Sequence, residues 1–203
     1  MKKTIQHYSD QAEHYFSLYN SVDAESVHND WKTILDNATS GIALDVGAGS
    51  GRDAKWLAQK GWQVVATEPA GALRDLAQKG AHKNIEWSNA SLPDLQALPL
   101  SHQKFDLILL SAVWMHLPES TRPKALTRLS ELLSVNGRIY ISLRFGPNDE
   151  SRPMYPVSYE ELQALAESNA LVAKNLSAAQ SQDSLSRKEV KWVTVELMRK
   201  VDK

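Results

Sequence analysis

Ile42-Ala43-Leu44-Asp45-Val46-Gly47-Ala48-Gly49-Ser50-Gly51-Arg52 decides the fold. Its first five residues are a short apolar run, the pattern of a strand buried on both faces. Glycines follow at alternate positions, and then Arg52–Lys60 reads as a helix closed by Gly61. A glycine turn between strand and helix lets the backbone bend tightly and lets a ligand approach where a Cβ would stand. Open parallel sheets bind ligands just past the carboxyl ends of such strands. Glu68 comes 17 residues after Gly51, behind the next predicted strand, Gln63–Thr67. An acid there is placed to accept hydrogen bonds from a ribose. The dinucleotide fingerprint G-x-G-x-x-G, counted from Gly47, requires a third glycine where this chain has Arg52.

The alternation continues outward. A helix over Ala70–Lys79 ends at Gly80, and Asn84–Trp87 is a short strand. Phe105–Ser111 is a strongly apolar strand, and Thr121–Ser134 is a helix whose Leu126, Leu129, Leu132 and Leu133 share a face. Asn136-Gly137 turns the chain into a strand over Arg138–Leu143. Ser158–Ser168 opens as a capping box, with Ser158 at the N-cap and Glu161 three residues on. Leu171–Leu176 and Val190–Met198 are weaker strands. Upstream, residues 5–37 read as two aromatic-rich helices broken at Asn20–Asp23, with Ser21 or Asp23 as the second N-cap. Strands alternating with ten-residue helices predict an α/β fold with a mostly parallel seven-stranded sheet, helices on both faces, and an amino-terminal helical cap. Phe145–Tyr155 is the longest irregular stretch, and long loops in compact domains are usually functional.

Composition narrows the function classes. The chain has 203 residues, room for one domain with a real core. The expected layout is one domain: a helical cap or lid over 1–39, a ligand-binding core over 40–145, and substrate-side elements over 146–203. A formal net charge of −1 argues against a long nucleic-acid footprint. With no cysteine, thiolate metal sites and cysteine nucleophiles are impossible, and no metal is expected. Met1–His7 lacks the apolar run of a signal peptide and no stretch is long enough for a membrane span, so a cytoplasmic protein is the expectation.

Leu44–Gly51 closely resembles the first motif of the class I S-adenosylmethionine-dependent methyltransferases, a Rossmann-like family. Glu68 matches that family's acid after the second strand. Phe105-Asp106-Leu107-Ile108 followed by Trp114-Met115-His116-Leu117 resembles its fourth-strand motif. Leu132–Arg138 resembles its turn into the fifth strand. The resemblance spans roughly residues 40–145, and Gly51–Ala54 with Leu57–Gly61 look most like small-molecule members, including the tellurite-resistance type. It implies S-adenosylmethionine as cofactor and S-adenosylhomocysteine as product. Asp45 would orient the turn and neighbour the methionine amino group, while Gly47, Ala48 and Gly49 leave room for the methionine part. Glu68 would bind the ribose. Asn89, where the family usually has Asp, and Ala90 would flank the adenine. Ser111 would lie near the transferred methyl. Ser50, Arg52 and Pro69 complete the implied cofactor contacts.

Transfer from a sulfonium is an in-line displacement, so alignment and exclusion of water are the chief needs. A base is needed only if the acceptor loses a proton, and His116 is the candidate. Tyr8, Tyr19 and Trp31 resemble lid residues, with core packing as the alternative, and His28 is a further lid candidate. Trp114 and Met115 are candidate apolar pocket walls. Arg144 and Arg152 flank the long loop and suit a carboxylate or phosphate, with solvated surface positions as the alternative. A small-molecule acceptor is therefore expected, with RNA or protein methylation and non-catalytic cofactor binding as alternatives. A nicotinamide oxidoreductase is opposed by Arg52 and by the lack of a Tyr-x-x-x-Lys pair.

Overall fold

The computed structural model describes residues 2–96, 98–99, 104–177 and 180–200. The amino-terminal region forms α1 (Lys2–Asp10), α2 (Ala12–Asn20), α3 (Ala24–Val27) and α4 (Lys32–Asp36). Four short helices thus replace the two expected. Asp23 is the N-cap, its carboxylate accepting from Ser26 N at 3.0 Å. Ser21 instead ends α2, its hydroxyl donating to Leu18 O.

The core elements follow in alternation: β1 (Ile42–Val46), α5 (Arg52–Gln59), β2 (Gln63–Thr67), α6 (Gly71–Gln78), β3 (Ile85–Ser88), β4 (Phe105–Leu110), α7 (Arg122–Leu132) and β5 (Leu133–Phe145). A 3₁₀ turn at Trp114–His116 follows β4. The chain ends with α8 (Tyr159–Ser168), β6 (Leu171–Asn175), β7 (Ser181–Gln182) and β8 (Lys191–Arg199). The sheet order is β3-β2-β1-β4-β5-β8-β6, with β7 paired to β8 off that path. β1 to β5 are parallel, whereas β8 runs antiparallel to β5, β6 and β7. The mostly parallel sheet is as expected, with eight strands rather than seven. The addition, β7, has two exposed residues and carries no hydrophobic period to read.

The expected turn at Asn136-Gly137 lies inside β5. There β4 advances from Phe105 to Leu107 while β5 advances from Leu133 to Arg138. The surplus residues bulge outward, which leaves Val135 78% exposed.

Two apolar layers clamp the sheet. On one face α7 and α8 bury Leu126, Leu129 and Leu162 against Ile108, Ile139 and Val195. On the other α5 buries Ala54 and Leu57 against Ala43, Val64 and Leu109. Trp31 joins this second layer, stacked on Tyr140 of β5 with ring centroids 4.1 Å apart and planes 11° apart. Truncating a fully buried tryptophan costs about 3–5 kcal/mol, so this stack fixes the α3–α4 segment to the sheet. The first two helices are held separately: Ala12 and Tyr15 of α2 pack on Ala70 and Leu73 at α6. Both attachments place the amino-terminal region over the carboxyl ends of β1, β2 and β4.

The Ser158 cap forms, accepting from Glu161 N at 3.0 Å. The reciprocal half of the expected capping box does not. Glu161 Oε2 instead accepts from Arg122 Nη1 at 2.5 Å. Arg122 is 1% exposed and also donates to Leu117 O and Pro156 O, tying α7, α8 and both flanking loops together.

Candidate active site

The turn after β1 is shaped by backbone geometry. Gly47 and Gly49 have φ of +69° and +56°, left-handed values that L side chains rarely adopt. Ala48 N donates to Thr67 O at 2.8 Å, anchoring the turn to the end of β2. Glu68 then buttresses it. Its Oε2 accepts from Gly49 N at 2.9 Å and its Oε1 from Ala70 N at 2.8 Å, so one carboxylate joins the glycine turn to the start of α6. Burial raises the Glu68 pKa, and the two backbone donors oppose that shift. Each oxygen retains a second lone pair for a ligand.

Asp45 is 1% exposed and its Oδ2 has no partner among the described residues. Burial, and then the nearby Asp53 carboxylate, push its pKa well up. Asp53 is held ionised against burial by His28, whose Nε2 lies 3.1 Å away, and by Arg52, which grips it with bonds of 2.7 and 2.9 Å. Nε and Nη2 of the Arg52 guanidinium are therefore engaged by Asp53.

A cavity of about 580 Å³ opens above this turn. Its floor is Gly47, Ala48, Gly49 and Ser50, with Arg52, Glu68, Pro69 and Ser111 around it. Tyr19 roofs the turn: a Cβ added at Gly49 would lie 3.4 Å from its ring. Ser50 Oγ donates to Asn20 Oδ1 at 3.2 Å, a second tie between the turn and the end of α2.

The far end of the cavity holds a hydrogen-bonded chain. His116 Nδ1 lies 3.0 Å from Pro153 O. A carbonyl only accepts, so Nδ1 carries the proton and Nε2 offers a lone pair. Tyr8 Oη, 3.2 Å from Nε2, therefore donates to it. The same hydroxyl accepts from Arg152 Nη1 at 3.0 Å and from Tyr19 Oη at 3.3 Å. Burial pushes the His116 pKa down to about 4, which keeps the ring neutral at neutral pH. The backbone just before this turn is strained, since Ala112 has φ of +59°. Its N–H donates to Ser142 Oγ at 2.7 Å, which holds the unusual conformation.

The structure gathers most of the sequence candidates on this one cavity: Gly47, Ala48, Gly49, Ser50, Arg52, Glu68, Pro69, Ser111 and His116, with Tyr19, Trp31, Arg144 and Arg152. Asp45 stands just behind the turn. Asn89 and Ala90 do not line the cavity: Asn89 is exposed, and Ala90 is buried in the core with Leu92 and Leu95. Trp114 is fully buried in that same core, while its neighbours Met115 and His116 face the cavity. A 3₁₀ turn sends successive side chains in different directions, and Trp114 takes the inward one. Asp183, Arg187 and Trp192 also line the cavity and were not foreseen. Their only local signal is the i, i+4 acid–base pair Asp183–Arg187.

Comparison with known proteins bears on the family and the fold. Residues 44–141 match the methyltransferase domain family. That match spans just under half of the chain and supports a class I S-adenosylmethionine-dependent methyltransferase. Among curated relatives, an uncharacterized methyltransferase of Alkaliphilus oremlandii is 31% identical over 108 residues, which is 53% of this chain and 48% of that one. Another, from Anoxybacillus flavithermus, is 29% identical over 117 residues, covering 56% and 53%. The chain thus spans about half the length of the curated relatives it matches. Among solved structures, the 1,6-didemethyltoxoflavin-N1-methyltransferase of Burkholderia thailandensis superposes with a TM-score of 0.72 at 17% identity, covering 99% of this chain and 88% of that one. A TehB-like methyltransferase from Corynebacterium glutamicum gives 0.69 at 21% identity, covering 96% and 99%. At these identities the superpositions speak to the fold.

Proposed function

We propose that this methyltransferase binds S-adenosylmethionine over the glycine turn and transfers its methyl group to O, N or S of a small-molecule acceptor. The observation that carries the reading is one continuous cavity from Gly47–Ser50 and Glu68 to Tyr8, His116 and Arg152. The residues present fit the cofactor. The buried, unpartnered Asp45 Oδ2 suits an ammonium. The second lone pairs on Glu68 suit ribose hydroxyls, and the glycine floor leaves room for the methionine part. The bound cofactor supplies a methyl group already activated on a sulfonium.

The chain's own residues then do three things. The glycine turn and Glu68 orient the donor. Tyr19, the end of α2 and the Phe145–Tyr155 loop exclude water, which keeps the transfer from going to solvent. The neutral His116 Nε2, reached through the Tyr8 hydroxyl, takes a proton if the acceptor must lose one, with Arg152 stabilising negative charge that builds on Tyr8.

A decisive assay supplies S-adenosylmethionine carrying a trideuterated methyl, together with a metabolite extract, and reads products by mass spectrometry. The proposal expects the label in a small molecule. Label confined to RNA or protein would overturn the small-molecule acceptor, and cofactor binding with no label anywhere would make the protein a non-catalytic binder.

A further inference from the structure

Three arginines crowd the end of the cavity remote from the glycine turn. Arg144, Arg152 and Arg187 all line the main cavity, and all three also line a second one of about 720 Å³. They form the wall between the two. Like charges at such close quarters repel unless anions stand among them.

Two of the three are already neutralised. Arg152 Nε is 2.9 Å from Asp149 Oδ2, and Arg187 Nη2 is 2.6 Å from Asp183 Oδ1. Arg187 is doubly bonded to that acid, and Asp183 is itself pinned by Trp192 Nε1 at 2.9 Å. Arg144 has no carboxylate partner among the described residues. It is 8% exposed, its Nη1 donates to Pro147 O at 2.9 Å, and its Nε is buried with no partner among the described residues. Burial, and after it the neighbouring Arg187 and Arg152, pull its pKa below the usual arginine value, so this charge stands in an unfavourable place. Glu150, Lys188 and Glu189 lie on the exposed rim of the second cavity, where water and salt screen them.

A buried guanidinium with an unused N–H is costly and stays only if something repays it. The remaining charge in the wall is one positive unit, which matches a monoanion. The guanidinium fork matches the two oxygens of a carboxylate. We propose that Arg144, flanked by Arg152 and Arg187, is an anion subsite that holds a single carboxylate of the methyl acceptor. This rests on the methyltransferase reading for the word acceptor, while the subsite stands on its own geometry. The carboxylate end of the molecule seats against the arginine wall, and its nucleophilic atom points back along the cavity toward His116 and the donor.

The test uses benzoate as a monoanionic probe, benzamide as its neutral isostere and phenyl phosphate as a dianion. Each is titrated calorimetrically into the full chain, with S-adenosylhomocysteine present and again without it. Saturable binding of benzoate, none of benzamide, and at least a tenfold loss in Arg144→Gln are expected. Arg144→Lys keeps the charge and loses the fork, so it should fall between wild type and Arg144→Gln, and it serves if the glutamine variant unfolds. S-adenosylhomocysteine affinity in Arg144→Gln should stay within twofold of wild type. Equal binding of benzoate and benzamide, or undiminished benzoate binding in both variants, would overturn the subsite. Phenyl phosphate binding tighter than benzoate would overturn the single-charge assignment. Wild-type protein that ignores S-adenosylhomocysteine yet binds benzoate through Arg144 would sink the methyltransferase reading and leave the subsite standing.

Discussion

Glu68→Gln separates two duties that one carboxylate performs. In the structure Glu68 holds Gly49 N at 2.9 Å and Ala70 N at 2.8 Å, one with each oxygen. A glutamine of the same shape keeps one acceptor and turns an NH₂ toward the other backbone N–H. One charge-assisted bond becomes a neutral one, at a cost of roughly 0.5–1.5 kcal/mol, and one buried N–H is left unmet, at roughly 1–3 kcal/mol. The sum, about 1.5–4.5 kcal/mol, is a large share of the stability of a domain this size. Urea unfolding followed by tryptophan fluorescence measures it, and the variant should lose that amount at unchanged slope. If Glu68 holds the ribose as proposed, calorimetry on the folded variant should then show S-adenosylhomocysteine affinity reduced at least tenfold, because a hydroxyl would meet an amide in place of a charged acceptor. A variant within about 0.5 kcal/mol of wild type would refute the buttress, since that is the scatter of ordinary surface changes. Unchanged affinity would refute the ribose contact independently.

Three further substitutions, at His116, Gly47 and Arg122, have their own expected outcomes. His116, with its pKa near 4 when folded and about 6.5 when unfolded, binds fewer protons in the native state, so stability falls as pH drops through that window. The loss from this residue reaches about 3 kcal/mol at the acid end and is absent above pH 7. The stability gap between wild type and His116→Gln should therefore shrink from pH 7.5 to pH 5, and a constant gap would contradict the assignment. Gly47→Ala puts a Cβ 2.8 Å from Val113 Cγ2 at a φ of +69°, so it should weaken cofactor binding and destabilise the fold. Adding Val113→Ala should recover part of both losses, and no recovery would mean the contact is not the cause. Arg122→Met strands Glu161, Leu117 O and Pro156 O, with an expected loss of about 3–5 kcal/mol in urea unfolding. A loss below about 1 kcal/mol would show that α7 and α8 do not depend on it.

The sheet was legible because its strands are pure signals. β1 and β2 are short, mostly apolar runs that end at the residues expected, Val46 and Thr67. Caps with a single geometric reading were also legible, as Asp23 and Ser158 show. What the pattern did not carry is where long side chains go. Glu161 sits at capping-box spacing, yet an arginine 39 residues away claims its carboxylate. Arg52 lies in the cofactor motif, yet it turns to its neighbour Asp53. The cavity's far wall was half legible. Arg144 and Arg152 flank an irregular loop that invites attention, whereas Arg187 lies in a polar tail and reaches the wall only because β8 doubles back antiparallel between β5 and β6.

On the proposed function, the Gly47–Ser50 turn and Glu68 hold a methyl donor. Calorimetric titration of the purified chain with S-adenosylmethionine, S-adenosylhomocysteine and NADH in parallel tests it most directly. Saturable one-to-one binding of the first two and none of NADH is the predicted result. Binding of NADH with neither of the others would mean the turn serves a dinucleotide, and the account would be contradicted.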